Sequence, residues 1–191
     1  MNRRIFATIA AIVAAVLLVS VAASVVHQAA SNVALPLSDA SIIREQAAQK
    51  KLDPALIAAV IYAETKFDPR PSPAGAEGLM QVLPATAYYL AHLSGGTRFT
   101  ASDLATPSIN LAYGSYYLRY LLDHYGGDEM LAVAAYNAGL TNVDEWVAHA
   151  HAQGTQLNTE SIPFPETREY VRRVLAAQIE YRATYPRQLG I

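Results

Sequence analysis

Residues 53–64 read Asp53-Pro54-Ala55-Leu56-Ile57-Ala58-Ala59-Val60-Ile61-Tyr62-Ala63-Glu64, with no charged side chain between the first residue and the last. Asp53 is placed to cap a helix, and Pro54 suits the first helical position. Because the segment has no polar face before Tyr62, it predicts a central, buried helix. Glu64 ends this apolar segment, where desolvation raises the pKa of a carboxyl toward that of a general acid. From helical position alone, a structural carboxylate is an equally good interpretation.

Four ordered blocks of sequence begin at this glutamate. They are Glu64 to Ala87, which includes Ser72 and Gly75-Ala76-Glu77-Gly78-Leu79-Met80-Gln81; Asn110-x-x-x-Gly114-x-x-Tyr117-Leu118; Ala135-Tyr136-Asn137-Ala138-Gly139; and Glu166-Thr167-Arg168-Glu169-Tyr170-Val171. Together they resemble the signature of lytic transglycosylases of the soluble-lytic-transglycosylase (SLT) type. The chain departs from that signature at Thr65, where the family usually has Ser.

The resemblance implies a mainly α, single lysozyme-like domain of the goose-type lysozyme and SLT kind. It also implies cleavage of the β-1,4 bond between MurNAc and GlcNAc in peptidoglycan, with 1,6-anhydro-MurNAc ends formed without water. Glu64 would act first as general acid and then as general base. Substrate-binding roles are implied for Ser72, Met80, Gln81, Tyr136, Asn137 and Glu166. For Met80, plain core packing is an equal alternative.

The other acidic residues bear on the kind of reaction. Ordinary glycoside hydrolases need a second carboxylate about 5 to 9.5 Å from the first. Asp68, next to Pro69, suits a local cap better than a nucleophile, and we find no good partner elsewhere in the sequence. A muramidase that hydrolyses with water is therefore the second interpretation. A non-catalytic wall-binding module is the third, although binding alone would not require a carboxyl in an apolar setting.

An apolar segment runs from Ile5 to Val26, behind Arg3 and Arg4. It is long enough for a membrane-spanning helix, which needs about 20 residues, and longer than the apolar core of about 7 to 15 residues in a secretory signal. Arginines before the span favour a cytoplasmic N-terminus, with the rest of the chain outside. Small residues at Ala22-Ala23-Ser24 leave a cleaved signal peptide open.

These patterns predict a membrane anchor or signal peptide at 1–27, a tether at 28–38 and a catalytic domain at 39–191. The predicted location is the cell envelope, with the domain periplasmic or, after cleavage, secreted. The predicted partners are peptidoglycan strands and, through the N-terminal helix, the membrane. A formal net charge of −2 without a basic patch argues against nucleic acid.

The remaining sequence predicts helices and no cofactor. Helical periodicity or capping signals favour helices at 41–51, 107–125, 129–136, 141–152 and 166–185, and one that begins at Pro84. No alternating run is long enough for a substantial sheet, although a short hairpin is possible. The chain has no Cys, and His149 and His151 are two residues apart on a helix, so we expect no metal site.

Overall fold

The computed structural model describes residues 35–70, 72–95 and 98–191. Within these ranges the chain is helical, and the only extended pairing is one antiparallel bridge between Glu77 and Val82. The α-helices are α1 Ala40–Lys50, α2 Pro54–Thr65, α3 Pro84–Ser94, α4 Pro107–His124, α5 Glu129–Ala138, α6 Leu140–Ala152, α7 Pro165–Thr184 and α8 Pro186–Leu189. Short 3-10 helices at Ala101–Ala105 and Thr159–Ser161 were not predicted, because one turn carries too little periodicity to be recognised.

The helix α2 is the centre of the core. Every residue from Ala55 to Ile61 is buried, and α2 packs most extensively against α7. An Asp53 side-chain oxygen accepts a hydrogen bond from the backbone N–H of Ala55 at 3.0 Å, and Pro54 occupies the first turn. The predicted buried central helix is therefore confirmed, with Glu64 in its last turn.

The capping residue also ties the start of α2 to the end of α7. Asp53 accepts hydrogen bonds from Gln178 at 2.7 Å and from Arg182 at 3.1 Å. Further along the interface, the fully buried ring of Tyr181 meets the ring of Tyr62 edge to face. These contacts fix the register between the two helices, and the register determines which α7 side chain faces Glu64.

A tight loop, residues 77–82, lies between α2 and α4. The Thr65 hydroxyl donates to the carbonyl oxygen of Leu79 at 2.9 Å, so the departure from Ser at this position keeps a hydroxyl that serves as a donor. The side chain of Asn110 holds the other side of the loop through the backbone of Glu77 and Met80. The loop is thus fastened to both helices next to the end of α2.

The predicted N-terminal anchor at 1–27 and most of the tether at 28–38 lie outside the described residues. Among the helices described here, none has the length and apolarity needed to cross a membrane. At the start of the described chain, the carbonyl oxygens of Leu35 and Pro36 accept hydrogen bonds from Tyr185 and Tyr181. These bonds fasten residues 35 and 36 to the end of α7.

Candidate active site

The Glu64 carboxyl is half-buried, and its Oε1 accepts a hydrogen bond of 2.6 Å from the hydroxyl of Tyr170. Burial raises the pKa of Glu64 to about 7, although the hydrogen bond from Tyr170 and the positive charge of Arg173 act in the opposite direction. A carboxyl with such a pKa exists in both protonation states near neutral pH. It can therefore donate a proton and take one back.

Sequence reasoning did not assign a role to Tyr170. The residue lies in the fourth motif block, on α7, and only 2% of it is exposed. Burial and the charge of Glu64 raise its pKa well above the usual value, so the hydroxyl stays protonated and serves as a donor to the carboxylate. The only signal in the sequence was its membership of that block, which does not identify the partner of the hydroxyl.

Two adjoining depressions in the surface share Gln81. One of about 290 Å³ is lined by Glu64, Asp68 and Arg70, among others. The second, of about 210 Å³, is lined by Tyr117 and by residues of the loop, α3 and the end of α5. We call the two together the groove. It places the carboxyl at one end and an aromatic and amide surface at the other.

The Gln81 side chain is held by backbone carbonyls. Its Nε2 donates to the carbonyl oxygens of Arg70 at 3.0 Å and of Gly78 at 2.9 Å, and its backbone has a positive φ of 48°. The amide nitrogen is therefore used by the protein. The amide oxygen of Gln81 is the atom best suited to accept a hydrogen bond from a ligand in the groove.

Tyr136 and Asn137 line the groove at the end of α5. The Tyr136 hydroxyl donates to the carbonyl oxygen of Met80 at 2.8 Å, and burial together with the charge of Glu64 raises its pKa well above the usual value. Asn137 Oδ1 accepts a hydrogen bond from Thr167 at 2.8 Å. This leaves the Asn137 amide N–H groups as donors toward the groove, whereas the Tyr136 oxygen can accept.

For Met80, the structure favours core packing, the alternative that the sequence left open. The Met80 side chain is fully buried, and Gly114 is so close that an added Cβ there would lie 2.5 Å from the Met80 sulfur. The side chain therefore packs in the core. The backbone carbonyl of Met80, which receives the Tyr136 hydrogen bond, is its connection to the groove.

Ser72 and Glu166 lie at the margins of the described site. The Ser72 hydroxyl accepts a hydrogen bond from the backbone N–H of Ala76 at 2.9 Å, within a turn just before the loop. Glu166 is exposed in the first turn of α7, next to Thr167, which contacts Asn137. The structure thus brings Glu64, Gln81, Tyr136 and Asn137 to the groove, with Glu166 at the same end of α7 as the Asn137 contact.

Asp68 is the acidic residue that shares a depression with Glu64. Its carboxyl is exposed and pairs with Arg70 at 2.6 Å. The Asp144 carboxylate forms hydrogen bonds with His124 at 2.9 Å and with the Tyr125 hydroxyl at 3.0 Å. Glu64 therefore differs from these two acids in being desolvated.

The helical fold with a half-buried carboxyl beside a groove is that of a lysozyme-like domain. Residues 41–159 match the family model described as Transglycosylase SLT domain, and the chain belongs to this family.

Relatives and solved structures agree with this assignment. The chain is similar to the soluble lytic murein transglycosylase of Escherichia coli K12, with 32% identity over 150 residues that cover 77% of this chain and 23% of the relative. The crystal structure of the 70 kDa soluble lytic transglycosylase from Escherichia coli matches with a TM-score of 0.72 at 30% identity, over 78% of this chain and 25% of that one. An inactive mutant of the lytic transglycosylase Slt from Pseudomonas aeruginosa matches with a TM-score of 0.70 at 30% identity, over 78% and 24%. The chain thus spans about a quarter of the length of these relatives.

Proposed function

We propose that this chain is a peptidoglycan lytic transglycosylase, which cleaves the MurNAc-GlcNAc β-1,4 bond and leaves 1,6-anhydro-MurNAc ends. The observation that carries the proposal is the state of Glu64, a desolvated carboxyl with a pKa of about 7 at one end of the groove. Membership of the SLT family and the names of the relatives support the choice of substrate.

The proposed reaction uses Glu64 twice. The protonated carboxyl first donates its proton to the glycosidic oxygen, and the bond from that oxygen to C1 of MurNAc breaks. The substrate's own N-acetyl group stabilises the positive charge at C1. The MurNAc 6-hydroxyl then attacks C1 and gives its proton to the Glu64 carboxylate, so the enzyme returns to its starting state without water.

The surroundings of Glu64 suit both steps. In the second half of the cycle the carboxyl is ionised, and the Tyr170 hydrogen bond and the Arg173 charge stabilise that form. Burial stabilises the protonated form that the first half requires. We place the amides of Gln81 and Asn137 against N-acetyl groups of the strand, because neutral amides pair with amides without adding charge. Ser72 and Glu166 would contact the substrate at the margins, Glu166 at the stem peptide.

The product identifies the reaction. The full-length chain is incubated with purified peptidoglycan, and the released muropeptides are separated and weighed by mass spectrometry. Anhydro ends support the proposal, because they are lighter than hydrolysed ends by one water. Reducing ends would instead indicate a muramidase, and intact glycan a wall-binding module.

We also propose that residues 1–27 attach the domain, residues 39–191, to the cell envelope through the tether at 28–38. The support is the apolar segment behind Arg3 and Arg4, which favours a cytoplasmic N-terminus. The chain is recovered from cells after membrane fractionation, and its mass is measured. A retained anchor predicts an intact N-terminus in the membrane fraction, whereas a cleaved signal peptide predicts a shortened, secreted chain.

Replacing Tyr170 with Phe should shift the pH dependence of activity. The lost hydrogen bond stabilises the carboxylate, so its removal raises the pKa of Glu64 beyond its value of about 7. The protonated acid then persists to higher pH, and the alkaline limb of the kcat/KM profile moves up by about one pH unit. The measurement is anhydro-muropeptide release between about pH 5 and about pH 10.

Tyr181→Phe is the matched control for this experiment. Tyr181 is also buried on α7, but its hydroxyl donates to the carbonyl oxygen of Pro36 at 2.6 Å, away from the carboxyl. We expect its profile to keep the alkaline limb of the unmodified enzyme. An equal shift in both variants, or a shift of the Tyr170→Phe limb to lower pH, would show that Tyr170 does not act through the pKa of Glu64.

A further inference from the structure

A row of four tyrosine rings leads out of the groove from Tyr136. The Tyr136 and Tyr117 ring centroids are 5.4 Å apart, and Tyr117 stacks nearly parallel to Tyr120, with centroids 6.4 Å apart and planes 14° apart. Tyr120 then meets Tyr89 edge to face at 6.2 Å, with 3.4 Å between the two hydroxyl oxygens. The row ends at the surface, because 49% of Tyr89 is exposed.

Both helices that carry the end of this row also line the groove. On α3, Thr86 lines the groove and Tyr89 follows three residues later on the same face; on α4, Tyr117 lines the groove and Tyr120 follows three residues later. Each step advances about 5 Å along a helix. Because the Tyr89 and Tyr120 rings also meet each other, the lining of the groove continues past its end onto this pair.

We propose that Tyr89 and Tyr120 form a sugar-binding subsite that holds the glycan strand at a distance from the bond being cut. This inference rests on the proposed function, which supplies the strand. Tyrosine rings offer an apolar face for a sugar ring and a hydroxyl that hydrogen-bonds at its edge. The occupant is therefore a sugar ring of the same strand whose scissile bond lies at Glu64.

The neighbouring Tyr88 provides a close control. It is on the same helix and 50% exposed, compared with 49% for Tyr89. Its ring, however, packs edge to face on Phe99 at 5.2 Å instead of on Tyr120. The two tyrosines thus share residue type, helix and exposure, and differ in whether they continue the groove.

Binding to a series of glycan lengths tests the subsite. Peptide-free strands of alternating GlcNAc and MurNAc, from disaccharide to decasaccharide, are titrated calorimetrically into the full-length chain carrying Glu64→Gln, so that the ligands stay intact. Adding Tyr89→Ala should weaken binding of the long strands about three- to tenfold and leave the shortest unchanged. Adding Tyr88→Ala should change neither, and Tyr89→Phe should keep most of the affinity because it keeps the ring.

Several results would overturn the subsite: equal losses for Tyr88→Ala and Tyr89→Ala, a loss of the same size at every strand length, or no loss at all. Absence of length-dependent binding in the Glu64→Gln chain would do so as well. Anhydro-end formation by the unmodified chain is measured separately and bears only on the proposed function. If the unmodified chain forms anhydro ends but Tyr89→Ala does not weaken binding of long strands, only the subsite is wrong. If no anhydro ends form, the proposed function is wrong.

Discussion

Glu64→Gln is expected to reduce anhydro-muropeptide release by about a thousandfold or more, since one carboxyl serves both proton-transfer steps. Glutamine keeps the shape of the side chain and an oxygen that can accept the Tyr170 hydrogen bond, but it cannot exchange a proton. Binding of peptidoglycan should therefore persist. Release is measured by mass spectrometry and binding by sedimentation with purified peptidoglycan, and loss of binding would contradict the assigned role.

The same variant should change how stability depends on pH. The pKa of Glu64 is raised from 4.5 to about 7 on folding, so the folded state favours the protonated form. Its contribution is complete below about pH 4.5 and is lost as the pH rises to about 7, which costs the native enzyme up to about 3 kcal/mol. Glutamine is neutral throughout, so Glu64→Gln should be the more stable protein at about pH 8 and close to equal at about pH 4.

Denaturant unfolding of the full-length chain at the two pH values measures this difference. If Glu64→Gln and the unmodified chain lose stability in parallel as the pH rises, the carboxyl is not desolvated in solution. That result would remove the physical basis of the acid role, independently of any activity measurement.

Asp68→Asn is the control that separates the two reaction types. Asp68 lines the same depression as Glu64 but is exposed and paired with Arg70. If Glu64 acts alone, we expect Asp68→Asn to keep most of the activity and the anhydro product. A loss comparable to that of Glu64→Gln would mean that a second carboxylate takes part, as in ordinary glycoside hydrolases.

Much of the fold was predictable from local signals. Asp53 and Pro54 mark the start of α2, and an unbroken apolar run identifies it as the central helix, which the structure confirms. The closing helix was predicted from residue 166 and begins at Pro165. Such features depend on neighbours in sequence, which are visible without a structure.

The partner of Glu64 was not predictable in this way. Tyr170 is 106 residues away along the chain, and its contact depends on the register of α7 against α2. Met80 shows the same limit in reverse, since a methionine in a loop suits a groove or a core equally well, and only the packing against Gly114 assigns it to the core. The periodicity of apolar residues identifies the buried face of a helix, but it does not identify the distant side chains that this face contacts.

Asn110→Ala should cost about 3 kcal/mol of the free energy of unfolding, because it leaves the buried N–H of Met80 and the carbonyl oxygen of Leu104 without the Asn110 side chain. It also removes one of the two hydrogen bonds that the Glu77 carbonyl oxygen accepts, the other coming from the N–H of Val82. The Asn110 side chain accepts from the N–H of Met80 at 2.8 Å and donates to the carbonyl oxygens of Glu77 at 2.7 Å and Leu104 at 3.0 Å. Denaturant unfolding gives the loss. Activity should fall further than the folded fraction, because the loosened loop carries Gln81.

Ser115→Ala is the control on the same helix. Ser115 is fully buried like Asn110, yet among residues 35–70, 72–95 and 98–191 the only hydrogen-bond contact of its hydroxyl is a long one of 4.0 Å to the Met80 sulfur. We expect a change of less than about 1 kcal/mol. A similar loss in both variants would mean that the cost comes from any change in the packing of α4 and not from the hydrogen bonds to the loop.

Gly78→Ala tests the contact between Asn110 and the loop by a change in the loop itself. A Cβ at Gly78 would lie 2.2 Å from Asn110 Nδ2 and 2.5 Å from the Leu104 carbonyl oxygen, whereas one at Gly75 would meet nothing within 4 Å. Both glycines have a positive φ, 72° and 77°, so Gly75→Ala measures the backbone cost alone. If the Asn110 contact holds the loop, Gly78→Ala loses substantially more stability and activity than Gly75→Ala. Equal losses would mean that glycine is needed at position 78 only for its positive φ and not for the close contact with Asn110.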